Sequence, residues 1–149
     1  RDYRDRRLNI ICVLHGALIF AADLMRAISC PLAFDIIRVS SYNGTKSTGS
    51  VSRMLGPSND VAGTDCLVVD DILDTGLTLS TIQYELKKAG ANSVSTCVLL
   101  EKPARRIHAI TPDYTGFTID DVFVVGYGLD YDGHYRNLPF IGALTHPTG

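Results

Sequence analysis

The stretch CLVVDDILDTGLTLSTIQYELKKAG, residues 66–90, carries Asp70, Asp71 and Asp74 close together. Asp70 and Asp71 end an apolar run, and Asp74 opens the turn Asp74-Thr75-Gly76-Leu77-Thr78. A tight turn from a strand into a helix offers backbone N–H groups, two hydroxyls and the positive end of a helix dipole. Those are the parts of a phosphate cradle. The same turn would equally serve as a plain helix start, with Asp74 or Thr75 as N-cap. The carboxylates separate the two readings. Beside a bound phosphate they are repulsive, so they make sense only if the ligand also donates hydroxyls to them or brings a divalent cation. A sugar phosphate with a vicinal diol and a magnesium ion meets these demands: phosphate on the turn, hydroxyls on Asp70 and Asp71, and Asp74 beside whatever is bonded to the sugar.

Other acidic and phosphate-binding patterns do not fit. A P-loop requires GxxxxGK[ST], which the chain lacks. A receiver domain has an acid pair and a later Lys-Pro, here Lys102-Pro103. It places its acid pair on the first strand, however, with a phospho-accepting aspartate before the lysine. Between Asp74 and Lys102 the only acids are Glu85 and Glu101.

The elements that position these residues follow from hydrophobic patterning. LNIICVL (Leu8 to Leu14) is an unbroken apolar run, the mark of a strand buried on both faces. HGA turns it into the largely apolar helix LIFAADLMRAI, and LAFDIIRVSSY reads as a second strand. Residues 43–60 are rich in Gly, Ser, Thr, Asn and Pro without periodicity and read as a long loop. CLVVDDI is the third strand. In the helix after it Leu79, Ile82, Leu86 and Ala89 form one stripe, and Gly90 closes it as a C′ residue. VSTCVLL (Val94 to Leu100) and VFVVGYGL (Val122 to Leu129) are the fourth and fifth strands. Alternating double-faced strands and helices predict a mostly parallel α/β sheet flanked by helices. In such sheets ligands bind beyond the carboxyl ends of the strands, where the three aspartates fall.

At 149 residues the chain is one domain by length. A formal charge of −2 excludes a simple basic nucleic-acid binder. The basic segment RDYRDRR, residues 1–7, alternates with Asp and reads as a solvated helix end. Cys12, Cys30, Cys66 and Cys97 show no CxxC spacing and read as free thiols in a reducing compartment. No apolar run reaches the roughly 18 residues of a membrane span, and no signal-peptide pattern opens the chain. A soluble, cytoplasmic protein with neither nucleic-acid nor membrane partner is expected. The abrupt start, one charged segment before a buried strand, suggests that residues upstream are missing.

LVVDDILDTGLTL resembles the phosphoribosyl-diphosphate (PRPP) motif of type I phosphoribosyltransferases. VLHGALIFAADLMRAI, SSYNGTKSTG, LLEKPARR and FVVGYGLDYDGHYRNLPFIGAL extend the resemblance, in order and spacing, to the hypoxanthine(-guanine) phosphoribosyltransferases. It implies a single domain of the type I fold with a flexible lid loop and a small hood region, active as a homodimer or homotetramer. The implied reaction joins N9 of a 6-oxopurine base to the ribose of PRPP with release of pyrophosphate, using magnesium. Asp70 and Asp71 then hold the ribose hydroxyls, and residues Asp74, Thr75, Gly76, Leu77 and Thr78 hold the 5′-phosphate. Asp74 becomes the general acid/base facing N7 of the purine. A carboxylate there also stabilises an oxocarbenium-like ribose. Lys102 donates to O6, Phe123 stacks on the purine, and Val124 reads the base edge through its backbone. Asp130 helps to hold magnesium, with Asp70 and Asp71 acting through ribose hydroxyls or water, and its neighbouring carbonyl lies near the purine 2-position. Leu14, His15 and Gly16 form the pyrophosphate loop, commonly with a cis bond between the first two, and Arg136 binds pyrophosphate. Ser41 and Tyr42 begin the lid, which keeps water from the reacting sugar.

Other readings are a xanthine-preferring enzyme, a non-catalytic PRPP- or nucleotide-binding regulator, and a PRPP-synthase-like subunit. The last lacks the base site spelled by EKPARR and FVVGYGLDY. Two positions depart from the family pattern. Leu77 stands where many relatives have a polar or basic residue, which leaves only its N–H for the phosphate. Histidine stands at position 15, where lysine or arginine is usual. An imidazole loses its charge near neutrality and a lysine does not. PRPP binding is therefore expected to weaken between about pH 6 and pH 8.5, and less so in His15→Lys; an affinity flat across that range would remove His15 from the pyrophosphate site.

Overall fold

The computed structural model describes residues 2–41, 51–55 and 60–145. Strand β1 (Leu8–Leu14) is buried almost throughout, as its unbroken apolar run requires. Helix α1 (Leu18–Ala27) carries the chain back to β2 (Leu32–Ser41), which pairs parallel with β1 from Leu8↔Leu32 to Leu14↔Arg38. The short β3 (Val51–Leu55) turns antiparallel onto β2. On the other side of β1 come β4 (Asp65–Leu73), helix α2 (Leu77–Lys88), β5 (Ser93–Glu101) and β6 (Tyr114–Thr118). The six-stranded sheet has the order β3-β2-β1-β4-β5-β6, parallel except for β3. Strands β7 (Val124–Val125) and β8 (Gly142–Ala143) make a separate two-stranded sheet.

Both faces of the sheet are covered, and the strand period of two divides the core. Ile11 and Val13 of β1 pack with Val68 of β4 and with Leu79, Ile82 and Leu86 of α2. Leu8, Ile10 and Cys12 point the other way and pack with Leu67, Val69 and Ala21 of α1. Complete burial of Ile82 and Leu86 stabilises the fold by about 1.5–3 kcal/mol each. Gly90, with φ +90°, follows the α2 cap at Ala89 as the pattern predicts, although Ala89 itself is exposed.

The register places the functional end of the sheet. Pairing of β1 with β4 stops at Cys12↔Val69, whereas β5 follows β4 as far as Leu73↔Glu101. Asp70 to Leu73 are therefore not paired with β1. The chain leaves β1 toward β2 on one side and returns as β4 on the other, so the crevice between them is the topological switch point.

Three expectations are corrected. The stretch 43–60 is not all loop, because Val51–Leu55 forms β3. An edge strand as short as VSRML can be held by backbone bonds to one neighbour and needs no double-faced apolar pattern. Val122–Leu129 is not the fifth strand of the main sheet. Only Val124 and Val125 are extended, and positive φ at Gly126 (+92°), Tyr127 (+51°) and Gly128 (+101°) then turns the chain. The place beside β5 belongs to Tyr114–Thr118, whose residues are all exposed and give no apolar signal. Finally, residues 2–5 form turns rather than a helix end, with Arg6 near Asp65 at 3.9 Å.

Candidate active site

Asp70 and Asp71 lie on the end of β4 that is not paired with β1. Asp71 N–H donates to Asp70 Oδ1 (3.0 Å) and Ile72 N–H to Asp71 Oδ1 (2.8 Å), so each carboxylate is oriented by the next peptide. Asp70 is buried, only 6% exposed. Burial first, and then the charge of Asp71, push its carboxyl well above the usual carboxylate range. Beneath them Cys12 is pushed up to about 11 by burial and then by the charges of Asp70 and Asp71, and it stays a thiol.

The turn after β4 leaves the start of α2 open. Gly76, not Asp74 or Thr75, is the N-cap of α2, and no side chain caps the helix. Leu77 N–H reaches Thr75 Oγ1 only at 3.5 Å. The first N–H groups of the helix are thus weakly paired at best, an arrangement that suits an anion. Gly76 has φ +89°, and an added β-carbon would meet Ile110 Cγ2 at 2.7 Å. Ile107 and His108 both donate their N–H to the Thr75 carbonyl, at 3.0 and 2.9 Å, bracing the turn from outside. A small cavity of about 50 Å³ lies here, lined by Asp70, Asp74, Thr75, Gly76, Thr78 and their neighbours.

A second cavity, about 240 Å³, shares Ile72 and Asp74 with the first and is lined also by Asp71, Lys102, Arg105, Phe123, Val124, Leu129 and Asp130. Lys102 is not a surface lysine. It is 6% exposed, its Nζ donates to the Val122 carbonyl at 2.7 Å, and Asp121 Oδ1 lies 3.9 Å away. Phe123, by contrast, is 46% exposed for an aromatic in an apolar run, and it meets Tyr131 edge-on with centroids 5.6 Å apart. Val124 is buried in β7. Asp74 Oδ1 lies 3.3 Å from Arg105 Nε, yet the geometry makes no hydrogen bond and that oxygen is buried without one.

The loop after β1 closes the site from the other side. The Leu14–His15 peptide bond is cis, as the resemblance implied. His15 is exposed and Gly16 buried, and a β-carbon at Gly16 would fall on the Asp71 carboxylate. Gly128 packs in turn on the Gly16 carbonyl with no room for a side chain. Tyr127 anchors that contact by donating its hydroxyl to Asp23 of α1, a bond that lowers the Asp23 carboxyl below its usual range and raises the tyrosine. Asp130 accepts from Gly133 N–H (2.8 Å) and pairs with Arg136 (2.8 Å), which also donates to the Gly128 carbonyl (2.6 Å). Asp130 lines the larger cavity, and Arg136 is tied to it by this ion pair. Ser41, expected to begin a lid, ends β2, and Tyr42, expected beside it, lies outside the described residues.

The sequence reading missed Arg105, Asp121 and the bracing segment 107–110. The double arginine after Lys102-Pro103 was the available signal. Its two members diverge: Arg105 turns to Asp74, and Arg106 pairs with Glu101 at 2.9 Å.

A switch-point crevice with a phosphate-sized turn, two adjacent acids and a neighbouring cavity with a buried lysine defines a nucleotide- or sugar-phosphate-handling α/β protein. The family model described as Phosphoribosyl transferase domain matches residues 1–132, and the chain belongs to the phosphoribosyltransferase family. Within it, the chain is similar to the hypoxanthine-guanine phosphoribosyltransferase of Lactococcus lactis, 46% identical over 145 residues, covering 97% of this chain and 79% of that protein. Similarity to the Bacillus subtilis protein of the same name is 45% over 144 residues, covering 96% and 80%. A crystal structure of a hypoxanthine phosphoribosyltransferase from Staphylococcus aureus matches with TM-score 0.90 at 43% identity, covering 96% of this chain and 78% of that one.

The raised carboxyl of Asp70 has a stability consequence whose sign is fixed. A folded-state value above the unfolded one means that the penalty is absent below about pH 4, where the carboxyl is protonated in both states. It grows as pH rises through the folded value. Asp70→Asn keeps the acceptor for Asp71 N–H and is expected to stabilise the ligand-free protein by on the order of 1 kcal/mol at pH 7 and by little at pH 4. Urea unfolding at the two pH values checks this; equal stability of variant and natural protein at pH 7 would contradict it.

Proposed function

We propose that this chain is a purine-salvage enzyme that transfers the 5-phosphoribosyl group from PRPP to N9 of hypoxanthine or guanine, giving the mononucleotide and pyrophosphate. The observation that carries the reading is the meeting of Asp71, Asp74, Lys102, Phe123 and Asp130 around one cavity next to an uncapped helix start. In this assignment the 5′-phosphate sits on the α2 turn, held by N–H groups and by the Thr75 and Thr78 hydroxyls. The ribose hydroxyls donate to Asp70 and Asp71. The base enters over Phe123, with O6 toward Lys102 and the 2-position toward the backbone near Asp130. Lys102 has three N–H donors and spends one on the Val122 carbonyl, so it can also serve O6.

As the bond from C1′ to the pyrophosphate oxygen breaks, positive charge grows on the sugar, and the carboxylates lie where that charge develops. N9 closes the new bond to C1′. Asp74, which lines both cavities, takes the proton that the base gives up at N7. The Leu14-His15-Gly16 loop and Arg136 receive the departing pyrophosphate. Among the described residues no three acidic, His or Cys side chains form a metal cage. Magnesium needs no such cage, since it keeps several waters and uses one or two carboxylates together with substrate phosphates. Asp130 and, through water or ribose hydroxyls, Asp70 and Asp71 would hold it, and its charge would offset that of the leaving group. A reducing, cytoplasmic setting accords with the free thiols of Cys12, Cys30, Cys66 and Cys97.

The deciding experiment supplies PRPP and magnesium with hypoxanthine, guanine or xanthine separately, following pyrophosphate release together with the mononucleotide. Product from hypoxanthine or guanine is expected; product from xanthine alone would change the assigned base, and no product from any would end the proposal. Asp74→Asn is expected to leave PRPP binding largely intact and to slow turnover by roughly 10²–10⁴-fold. Near-normal turnover would remove Asp74 from the chemistry. Lys102→Ala is expected to raise KM for the base far more than for PRPP, and comparable rises in both would place Lys102 outside the base pocket.

A further inference from the structure

We propose that Arg105 is a positioning residue for the transfer, holding the Asp74 carboxylate at the base cavity by its charge and without a hydrogen bond to it; this rests on the role given to Asp74 above. Arg105 ends the 3-10 turn Pro103–Arg105 that follows β5, and it lines the cavity. Its Nε is 3.3 Å from Asp74 Oδ1, and its Nη1 is 3.7 Å from Asp121 Oδ1. The same Asp121 oxygen lies 3.9 Å from Lys102 Nζ. Charges thus alternate along one wall as Asp74, Arg105, Asp121, Lys102. The two ends of this row are the groups assigned to N7 and O6 of the base.

The backbone fixes the row in place. Lys102 N–H donates to the Leu73 carbonyl at 3.0 Å, and Arg105 N–H to the Lys102 carbonyl at 3.2 Å, tying the turn to β4 and to the lysine. Arg106 is held away from the cavity by Glu101 (2.9 Å) and by the Ile110 carbonyl (3.1 Å), so Arg105 alone of the two arginines faces the acids.

The contact with Asp74 is close but misaligned for a hydrogen bond, and Oδ1 has no other partner. A buried carboxylate oxygen left this way is costly unless a nearby cation offsets its charge. A well-aligned N–H from Arg105 would favour the ionised carboxylate and make it a poorer base. A guanidinium beside the carboxylate without that bond offsets the charge and leaves the carboxylate better able to accept a proton. With Asp121 as its second anchor, Arg105 keeps its place when base enters.

The test compares Arg105→Met and Arg105→Lys in the natural sequence and in an Asp74→Asn background, with steady-state rates at varied PRPP and varied hypoxanthine. Arg105→Met is expected to lower kcat/KM for the base about ten-fold, with KM for PRPP changed by no more than about two-fold. Arg105→Lys restores most of the loss. In the Asp74→Asn background Arg105→Met has almost no further effect, because the group that it positions is gone. An equal loss in both backgrounds, no rescue by lysine, or a parallel rise in KM for PRPP would overturn the role of Arg105. Failure of the natural protein to form any nucleotide would instead overturn the phosphoribosyl-transfer reading, and this inference with it.

Discussion

Asp70 and Asp71 repel each other from consecutive positions of β4, and the fold holds them together because that strand is clamped along its length. The ladder to β5 continues past them to Leu73, while the ladder to β1 stops at Val69 and leaves one side open. The next N–H groups along the chain orient both carboxylates. The nearby cations of the site are directed elsewhere: Lys102 and Arg105 toward Asp121, Arg105 also toward Asp74, and Arg136 toward Asp130. Burial, and then the repulsion between the two acids, holds the Asp70 carboxyl well above its usual range. Binding sites commonly carry such local instability, and the completely buried layers on either side of the sheet offset it.

The two cavities divide the work along one strand. Asp70 faces the small one with the α2 turn, Asp71 the larger one with Lys102 and Phe123, and Asp74 belongs to both. A group spanning them must place an anion at one end and a flat, partly apolar body at the other. The segment from Lys102 to Ile110 serves both ends. It carries the lysine and Arg105 into the larger cavity, then returns to give Thr75 two backbone hydrogen bonds and to pack Ile110 beside Gly76.

How much of this was legible depended on burial. Strands β1, β4 and β5 are covered on both faces, and their apolar runs announced them. The stripe of Leu79, Ile82 and Leu86 announced α2 for the same reason. β6 is exposed along its whole length and β3 is a five-residue edge strand, so composition gave no sign of them. The run at Val122–Leu129 misled because apolar content reports burial and not direction, and the glycines that bend it look ordinary within a strand. The aspartates and the turn were readable from local chemistry alone. Lys102 and Phe123 were readable only through family resemblance, since a lysine at a strand end and a phenylalanine in an apolar run have commonplace explanations. Arg105 was not readable, because its meaning lies in Asp74, one strand and one helix away.

The contact between Gly16 and Asp71 joins two loops that chemistry would otherwise treat as separate. A carboxylate occupies the space where any other residue at position 16 would place its first carbon, and the Gly16 carbonyl in turn excludes a side chain at position 128. Positions 16, 71 and 128 therefore behave as one lock with three tumblers. A side chain enters at position 16 only if the Asp71 carboxylate gives way, and at position 128 only if the backbone of position 16 does, so a change at either end is felt through the middle.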